Sequence, residues 1–355
     1  MQDDGRSQAR PRSPVMADVG RLAGVSHQTV SRVINGSRHV SPSTRARVLA
    51  AMEQLGYRPN SIARALATGH TNTLGVVSSD STLYGPASTL FGIERAAHLA
   101  GYFIVIASMK ALDRGTMPEA IDRLRLHGVE GILVIVSDAD AADALSDVSP
   151  DLPLVAVVAG PERTFPLVSV DQFEGARLAT RHLLDLGHPT VHHVAGPPNS
   201  LEARQRIAGW RATLEEAGAP VPTPLVGDWG ARSGYHAGRR LAREPQVSAV
   251  FVANDQMALG LLRAMHEADR RIPDEVSVVG FDDTPEAPYF TPSLTTVRQD
   301  FGEVGSRSLA VLVRAIEADG SGHRPQEGSI VAPELIIRAS TVAHGAGSMR
   351  FHDIG

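Results

Sequence analysis

"VSHQTVSRVING", Val25 to Gly36, is one short helix's worth of chain with two unlike faces. Val30, Val33 and Ile34 recur at helical spacing on one side, while His27, Gln28 and Arg32 fall on the other. A solvated helix face ordinarily carries Glu and Lys, and this one has neither. Gln can pair with adenine in the major groove of DNA, and Arg with the N7 and O6 of guanine, from the first turns of a helix that packs by its other face. Ser26 is placed to cap such a helix, and Asn35-Gly36 to stop it. An ordinary surface helix is the alternative, and the flanking chain decides between the two.

Upstream, "MADVGRLA" forms a helix with Val19 and Leu22 inward, broken at Gly24. Downstream, Ser41-Pro42 opens a third helix that buries Val48, Leu49, Met52 and Leu55 and ends at Gly56. Short helices joined by "AGVS" describe a helix-turn-helix domain. Pro59 and Asn60 then open a stretch, Ser61 to Ala67, of at most two helical turns; so short a helix is marginal alone in water and reads as a hinge that orders against a partner. The polar arm before residue 15 is expected to be disordered.

Charge follows the same division. The chain has 355 residues and a net charge of −5, yet residues 1–70 hold ten Arg and no Lys against Asp3, Asp4, Asp18 and Glu53, a net +6 that leaves −11 for the rest. A basic head on an acidic body is expected where only the head meets phosphate.

From Thr73 onward, apolar strands alternate with amphipathic helices: "TLGVVSS", "YFIVIAS", "VEGILVIV" and "LPLVAVV", then a second set through "TVHHVAG", "SAVFVAN" and "VSVVGFDD". That alternation gives parallel sheets with helices on both faces, here as two similar halves. The default ligand site is the cleft beyond the carboxyl ends of the strands. Several function classes are excluded or disfavoured. There is no Cys for disulfides or thiol chemistry, and the apolar runs are too short to span a bilayer. The N-terminus lacks the apolar core of a signal peptide, so the chain reads as cytoplasmic. No G-x-S-x-G, Walker or H-E-x-x-H motif is present, and no cofactor is expected. His188, His192 and His193 are read as structural, not metal-ligating, because neighbours on a strand point to opposite faces and no carboxylate cluster joins them.

"DVGRLAGVSHQTVSRVING" and "VSPSTRARVLAAMEQLGYRPNSIARALATG" closely resemble the head and hinge of the lactose-repressor (LacI/GalR) family of bacterial transcription regulators. The resemblance continues through "GHPTVHHVAGP", "ARQRIAGW", "VFVANDQMALG", "VSVVGFDDTPEAPYFTPSLTTVRQDF" and "LIIRAST", across about residues 15–343. It implies an α/β chain: an N-terminal three-helix helix-turn-helix head (15–59), a hinge helix and linker (60–71), then two Rossmann-like parallel-sheet subdomains of periplasmic-binding-protein type (72–343). The first subdomain is expected over about 72–169 plus 301–328, the second over about 170–300 plus 329–343, with a disordered tail at 344–355. The function implied is a repressor of sugar-utilisation genes, a homodimer on a palindromic operator in double-stranded DNA, controlled by a small-molecule effector in the cleft, with no membrane partner.

Carried over by position, His27, Gln28 and Arg32 match base-reading residues, although Tyr is common where His27 stands. Ser26, Thr29, Ser31 and Asn35 match phosphate-contacting or capping positions. Leu66 matches the hinge residue wedged into the minor groove, where an apolar side chain kinks the duplex; Asn60 and Ala63 belong to the same DNA-facing set. Gly20 replaces the usual Ala, and glycine inside a helix costs about 1 kcal/mol, implying a softer first helix. In the cleft, Arg206, Asn254 and Asp282 would serve sugar hydroxyls, and Trp229 and Phe301 a ring face; Asp255 is expected to cap the helix after Asn254. Ser79 and Leu83, with Tyr84 and Pro86, are further candidates. Val158 and Ile135 leave the first half less polar than in close relatives. The C-terminal tail lacks the leucine heptads of tetrameric relatives, favouring a dimer. Rival readings are a regulator with a non-sugar effector, a pure sugar-binding protein, which the reading helix disfavours, and a sugar enzyme, which would need an acid-base pair and would show turnover.

Overall fold

The computed structural model describes residues 14–34, 37, 39–58, 69–79, 82–148, 151–157, 165–319 and 328–345. The chain forms two compact units, Met1–Thr71 and Asn72–Gly355. Asn35, Asn60, Ala63 and Leu66, all but the last residue of the N-terminal arm and all but the first two residues of the tail lie outside the described residues, as does Val158.

The first unit contains α1 (Met16–Ala23), α2 (His27–Ile34) and α3 (Pro42–Leu55). Val19, Ala23, Val30, Val33, Val48, Ala51 and Tyr57 close one small core. The Ser26 hydroxyl accepts from the Thr29 amide at 3.2 Å, capping α2. Ser41 likewise accepts from Thr44 at 3.3 Å, with Pro42 in the first turn of α3 and Gly56 left-handed at its end. Arg45 donates to the carbonyl of Ser37 at 2.8 Å and to that of Val33 at 3.4 Å, tying α3 to the end of α2. Two expectations fail here: Leu22 and Leu49 are 45% and 51% exposed. In helices of 8 and 14 residues only a narrow stripe reaches the shared core, and the small residues Gly20, Ala23 and Ala51 fill it where helix backbones approach closely. Gly20 also has a steric reason: a Cβ there would sit 2.9 Å from the Val25 carbonyl, in the turn that leads to α2.

The second unit has two six-stranded sheets, ordered β11-β5-β4-β3-β1-β2 and β12-β10-β9-β8-β6-β7. The first is built from β1 (Thr73–Ser79), β2 (Phe103–Met109), β3 (Ile132–Ile135), β4 (Leu154–Val157), β5 (Leu167–Val170) and β11 (Ser329–Val331). The second comprises β6 (His192–Ala195), β7 (Leu225–Val226), β8 (Ala249–Val252), β9 (Ser277–Asp282), β10 (Thr295–Arg298) and β12 (Glu334–Ile336). All pairs are parallel except β10 with β12. Strands this apolar, four-residue runs of wholly buried side chains at β3, β4, β5 and β8, belong in sheets covered on both faces.

In the first lobe, α4 (Tyr84–Leu99) and α11 (Phe301–Asp319) cover one face, with α5 (Thr116–Leu126) and α6 (Ala139–Ser146) on the other. In the second, α7 (Gln172–Asp185) and α8 (Leu201–Glu216) oppose α9 (Ala231–Leu241) and α10 (Asp255–Glu267). Three crossings join the lobes, after β5, after β10 and between β11 and β12. The expected boundary at 328/329 is therefore wrong for Ser329–Val331, which pairs with β5 in the first sheet. Val170, assigned to the second lobe by sequence, also ends a first-lobe strand. Both segments are short and apolar, so their pattern gives no sign of which sheet takes them. The tail likewise begins later than expected, since the His344 amide donates to Leu186 at 2.8 Å and its ring lies 5.1 Å from that of His188.

Candidate functional site

The strands of both lobes end on a common cleft, with about 790 Å³ of empty space that is partly open to solvent. Asp282 closes β9 with φ 109°, a left-handed conformation unusual for a side-chain-bearing residue, and is 6% exposed. Its Oδ1 accepts from Gln299 Nε2 at 2.7 Å and lies 3.7 Å from Arg206. Gln299 in turn accepts from Gln172 at 2.7 Å, and Gln172 accepts from Arg206 Nε at 2.8 Å. Arg206 also donates to the Ala253 carbonyl. Its guanidinium lies 3.8 Å from the Phe281 ring centroid and 5.4 Å from that of Trp229, a position cation–π attraction favours. A closed ring of buried polar partners thus fixes the floor of the cleft. Gln172 and Gln299 stand on the two crossings out of β5 and β10.

Asn254 lies two residues beyond β8 and caps α10, its Oδ1 accepting from the Met257 amide at 2.9 Å while its Nδ2 donates to the Trp229 carbonyl at 3.0 Å. The cap is Asn254 and not Asp255, which is the first residue of the helix. Asp255 turns inward to accept from Thr296 at 2.7 Å and from the Thr284 amide at 2.8 Å. Burial, together with the neighbouring Asp282 charge, pushes Asp255 up to about 7. Burial pushes Asp282 up to about 6, opposed by Arg206 and Gln299. Trp229 is held at φ 71°, its indole against Gly196, where any Cβ would collide with it.

Leu83, Arg206, Trp229, Asn254, Asp282 and Phe301 all line the cleft. Ser79 does not: it ends β1 beside Met109, while the lining on that side starts at Leu83. Tyr84 meets Phe301 edge-on at 5.8 Å, and Pro86 and Ile135 are also in the wall. Sequence reasoning missed Gln172, Gln299 and Glu202. The two glutamines did carry a signal, "VDQF" and "VRQDF", strand ends followed by Gln, with Phe directly after Gln172 and one residue further on after Gln299. Glu202 looks like any acid in the first turn of a helix, and nothing local marks it. The histidines stay structural in environment: His193 Nδ1 lies 2.9 Å from the Phe251 carbonyl with its ring stacked at 4.6 Å, and burial lowers it to about 4. Among the described residues no cluster suited to a metal ion occurs, and no helix is long and apolar enough to cross a membrane.

On the first unit, Val30 and Val33 of α2 are buried, whereas Ser26, His27, Gln28 and Arg32 are exposed and Thr29 and Ser31 half-buried. The exposed set runs from Ser26, His27 and Gln28 at the start of the helix to Arg32 in its last turn. The Ser26 and Thr29 hydroxyls lie 3.0 Å apart.

Comparison with known proteins matches both parts of the chain. Residues 15–60 match bacterial regulatory proteins of the lacI family, and residues 180–341 match the periplasmic binding protein-like domain. The chain is 34% identical to the HTH-type transcriptional repressor PurR of Photobacterium profundum, over 91% of this chain and 97% of that one. It is 33% identical to the lactose operon repressor of Escherichia coli over 92% and 90% of the two chains. A crystal structure of the Lac repressor dimer bound to operator and the anti-inducer ONPF superposes with a TM-score of 0.81 at 32% identity, covering 94% of this chain and all of that one. With a reading head, a two-lobed body and relatives alike along almost their whole length, the chain belongs to the LacI family of bacterial DNA-binding transcriptional repressors.

Proposed function

We propose that this protein represses sugar-utilisation genes: it binds a palindromic operator as a homodimer and responds allosterically to a sugar-type effector in the interlobe cleft. In this reading His27, Gln28 and Arg32 meet base edges, Ser26, Thr29 and Ser31 meet phosphates, and the hinge around Asn60, Ala63 and Leu66 meets the minor groove. The observation that carries the effector reading is the pairing of a fixed polar floor, Arg206, Asn254 and Asp282, with the aromatic planes of Trp229 and Phe301 in one cavity. Vicinal hydroxyls need several convergent donors and acceptors, and the C–H face of a sugar ring packs on an aromatic plane. Dimerisation is supported by the exposed apolar residues Phe91 and Leu99 of α4 and Phe103 and Ile106 of the edge strand β2, which an isologous contact would cover.

Tryptophan fluorescence separates the possibilities. Trp210 is fully buried and donates to Val191 at 2.9 Å, so a ligand-dependent change would report Trp229. Saturable change with a mono- or disaccharide, lost in Trp229→Phe, is expected. A purine base acting instead would favour the second reading, a non-sugar effector, which the same aromatic planes of Trp229 and Phe301 also suit.

A further inference from the structure

Glu202 has no assigned role in the cleft. It lies in the first turn of α8, lines the cavity and accepts from the Ser200 hydroxyl at 2.9 Å. It faces the interlobe edge where Asp138 and Ser200 form a backbone bridge and the Ala139 amide donates to Asn199 at 3.1 Å. With Asp282 it makes two carboxylates in the cavity wall, and the Asp282 charge is felt by the buried Asp255. Against them stands one cation among the described lining residues, Arg206, on which the charges of Asp282, Glu202 and Asp255 all act. That guanidinium is already engaged by Gln172, Ala253 and Asp282. Asp282, by contrast, accepts one side-chain hydrogen bond, from Gln299 to its Oδ1, and lines the cavity, so its carboxylate can take a donor from a ligand.

Resting on the reading of this cleft as the effector site, we propose that its ligand carries no negative charge and presents hydrogen-bond donors to Asp282 and Glu202, with Glu202 as the residue that sets this selectivity. Like charges brought together in a poorly solvated site repel strongly, and a carboxylate oxygen facing a cleft gains from a donor that the ligand brings. Burial already raises both carboxylates above the ordinary range, so the cavity holds its own negative charge with difficulty. A phosphate or carboxylate on the ligand would add to that charge with no free cation to meet it among the described lining residues. A hydroxyl or ammonium group would relieve it.

Isothermal titration of the full-length protein with matched ligands tests this: neutral hexoses and disaccharides, their 6-phosphates and uronates, an amino sugar, and a neutral purine base beside its 5′-monophosphate. The expected result is saturable binding of an uncharged or amino member, with its anionic counterpart at least tenfold weaker. In Glu202→Gln, which keeps the shape and removes the charge, that ratio should fall several-fold. A merely structural role for Glu202 would weaken both members alike and leave the ratio unmoved. An anionic member that binds as tightly as its neutral partner, or an unchanged ratio in Glu202→Gln, would overturn the proposal. Silence across the whole set would instead overturn the reading of the cleft as an effector site, and the selectivity with it.

Discussion

Asp282 and Asp255 show how much of this site is held against local preference. Both carboxylates are buried, and both keep folded pKa values, about 6 and about 7, above the ordinary 3.8. An acid raised in this way takes up protons on folding, so its contribution favours the native state below about pH 4 and is lost as pH rises through 6 and 7. Thermal unfolding at pH 5 and pH 7.5 should therefore show a smaller loss of Tm with rising pH in Asp255→Asn than in the wild type. Equal losses would mean that the buried acid is not strained. Trp229 makes a steric case. Adding a methyl at Gly196→Ala drives the indole from its seat; overpacking of this kind costs about 1–3 kcal/mol. Ligand affinity should fall at least tenfold, which a fluorescence titration would read, and unchanged affinity would remove Trp229 from the site.

At the scale of elements, Gly20 sets helix propensity against turn geometry. Alanine is better inside a helix by about 1 kcal/mol, yet a Cβ here meets a backbone carbonyl that cannot swing away. Gly20→Ala should therefore fail to raise the melting temperature of the head by circular dichroism; a clear rise would show that the turn can yield. The expectation of a soft first helix came from propensity alone, because the tight return of Val25 is a tertiary fact. Capping was more legible. Ser26 and Ser41 act where their sequence context places them, since a cap is decided within four residues. Asn254 and Asp255 show the limit: adjacent residues are both good caps, and only the fold, which brings Thr284 and Thr296 to Asp255, assigns the cap to Asn254. Strands β1 to β4, β6, β8 and β9 were readable as apolar runs alternating with helices, but not β5, β7, β10, β11 and β12, nor the lobe that takes Ser329–Val331.

Across the whole molecule, basic charge concentrated in the head implies operator binding that weakens steeply with salt, since each phosphate contact releases counterions. Operator affinity measured between 50 and 200 mM salt should fall by at least about tenfold, and a flat response would argue against Arg-led phosphate contact. Control by the cleft requires more, namely a ligand that binds the DNA-competent and DNA-incompetent states with different affinity. Asn254 and Asp282 were legible because strand ends face the cleft, and Arg206, Trp229 and Phe301 through the family resemblance. Gln172 and Gln299 follow strand ends too but were passed over, and Glu202, in the first turn of a helix, carries no local mark. The decisive measurement is fluorescence anisotropy of an inverted-repeat duplex, recovered from a random pool with this protein, titrated with and without each ligand of the sugar panel. One ligand should shift the operator midpoint at least tenfold in the wild type and not in Asp282→Asn. Operator affinity indifferent to every ligand, or a shift that persists in Asp282→Asn, would contradict control through this cleft.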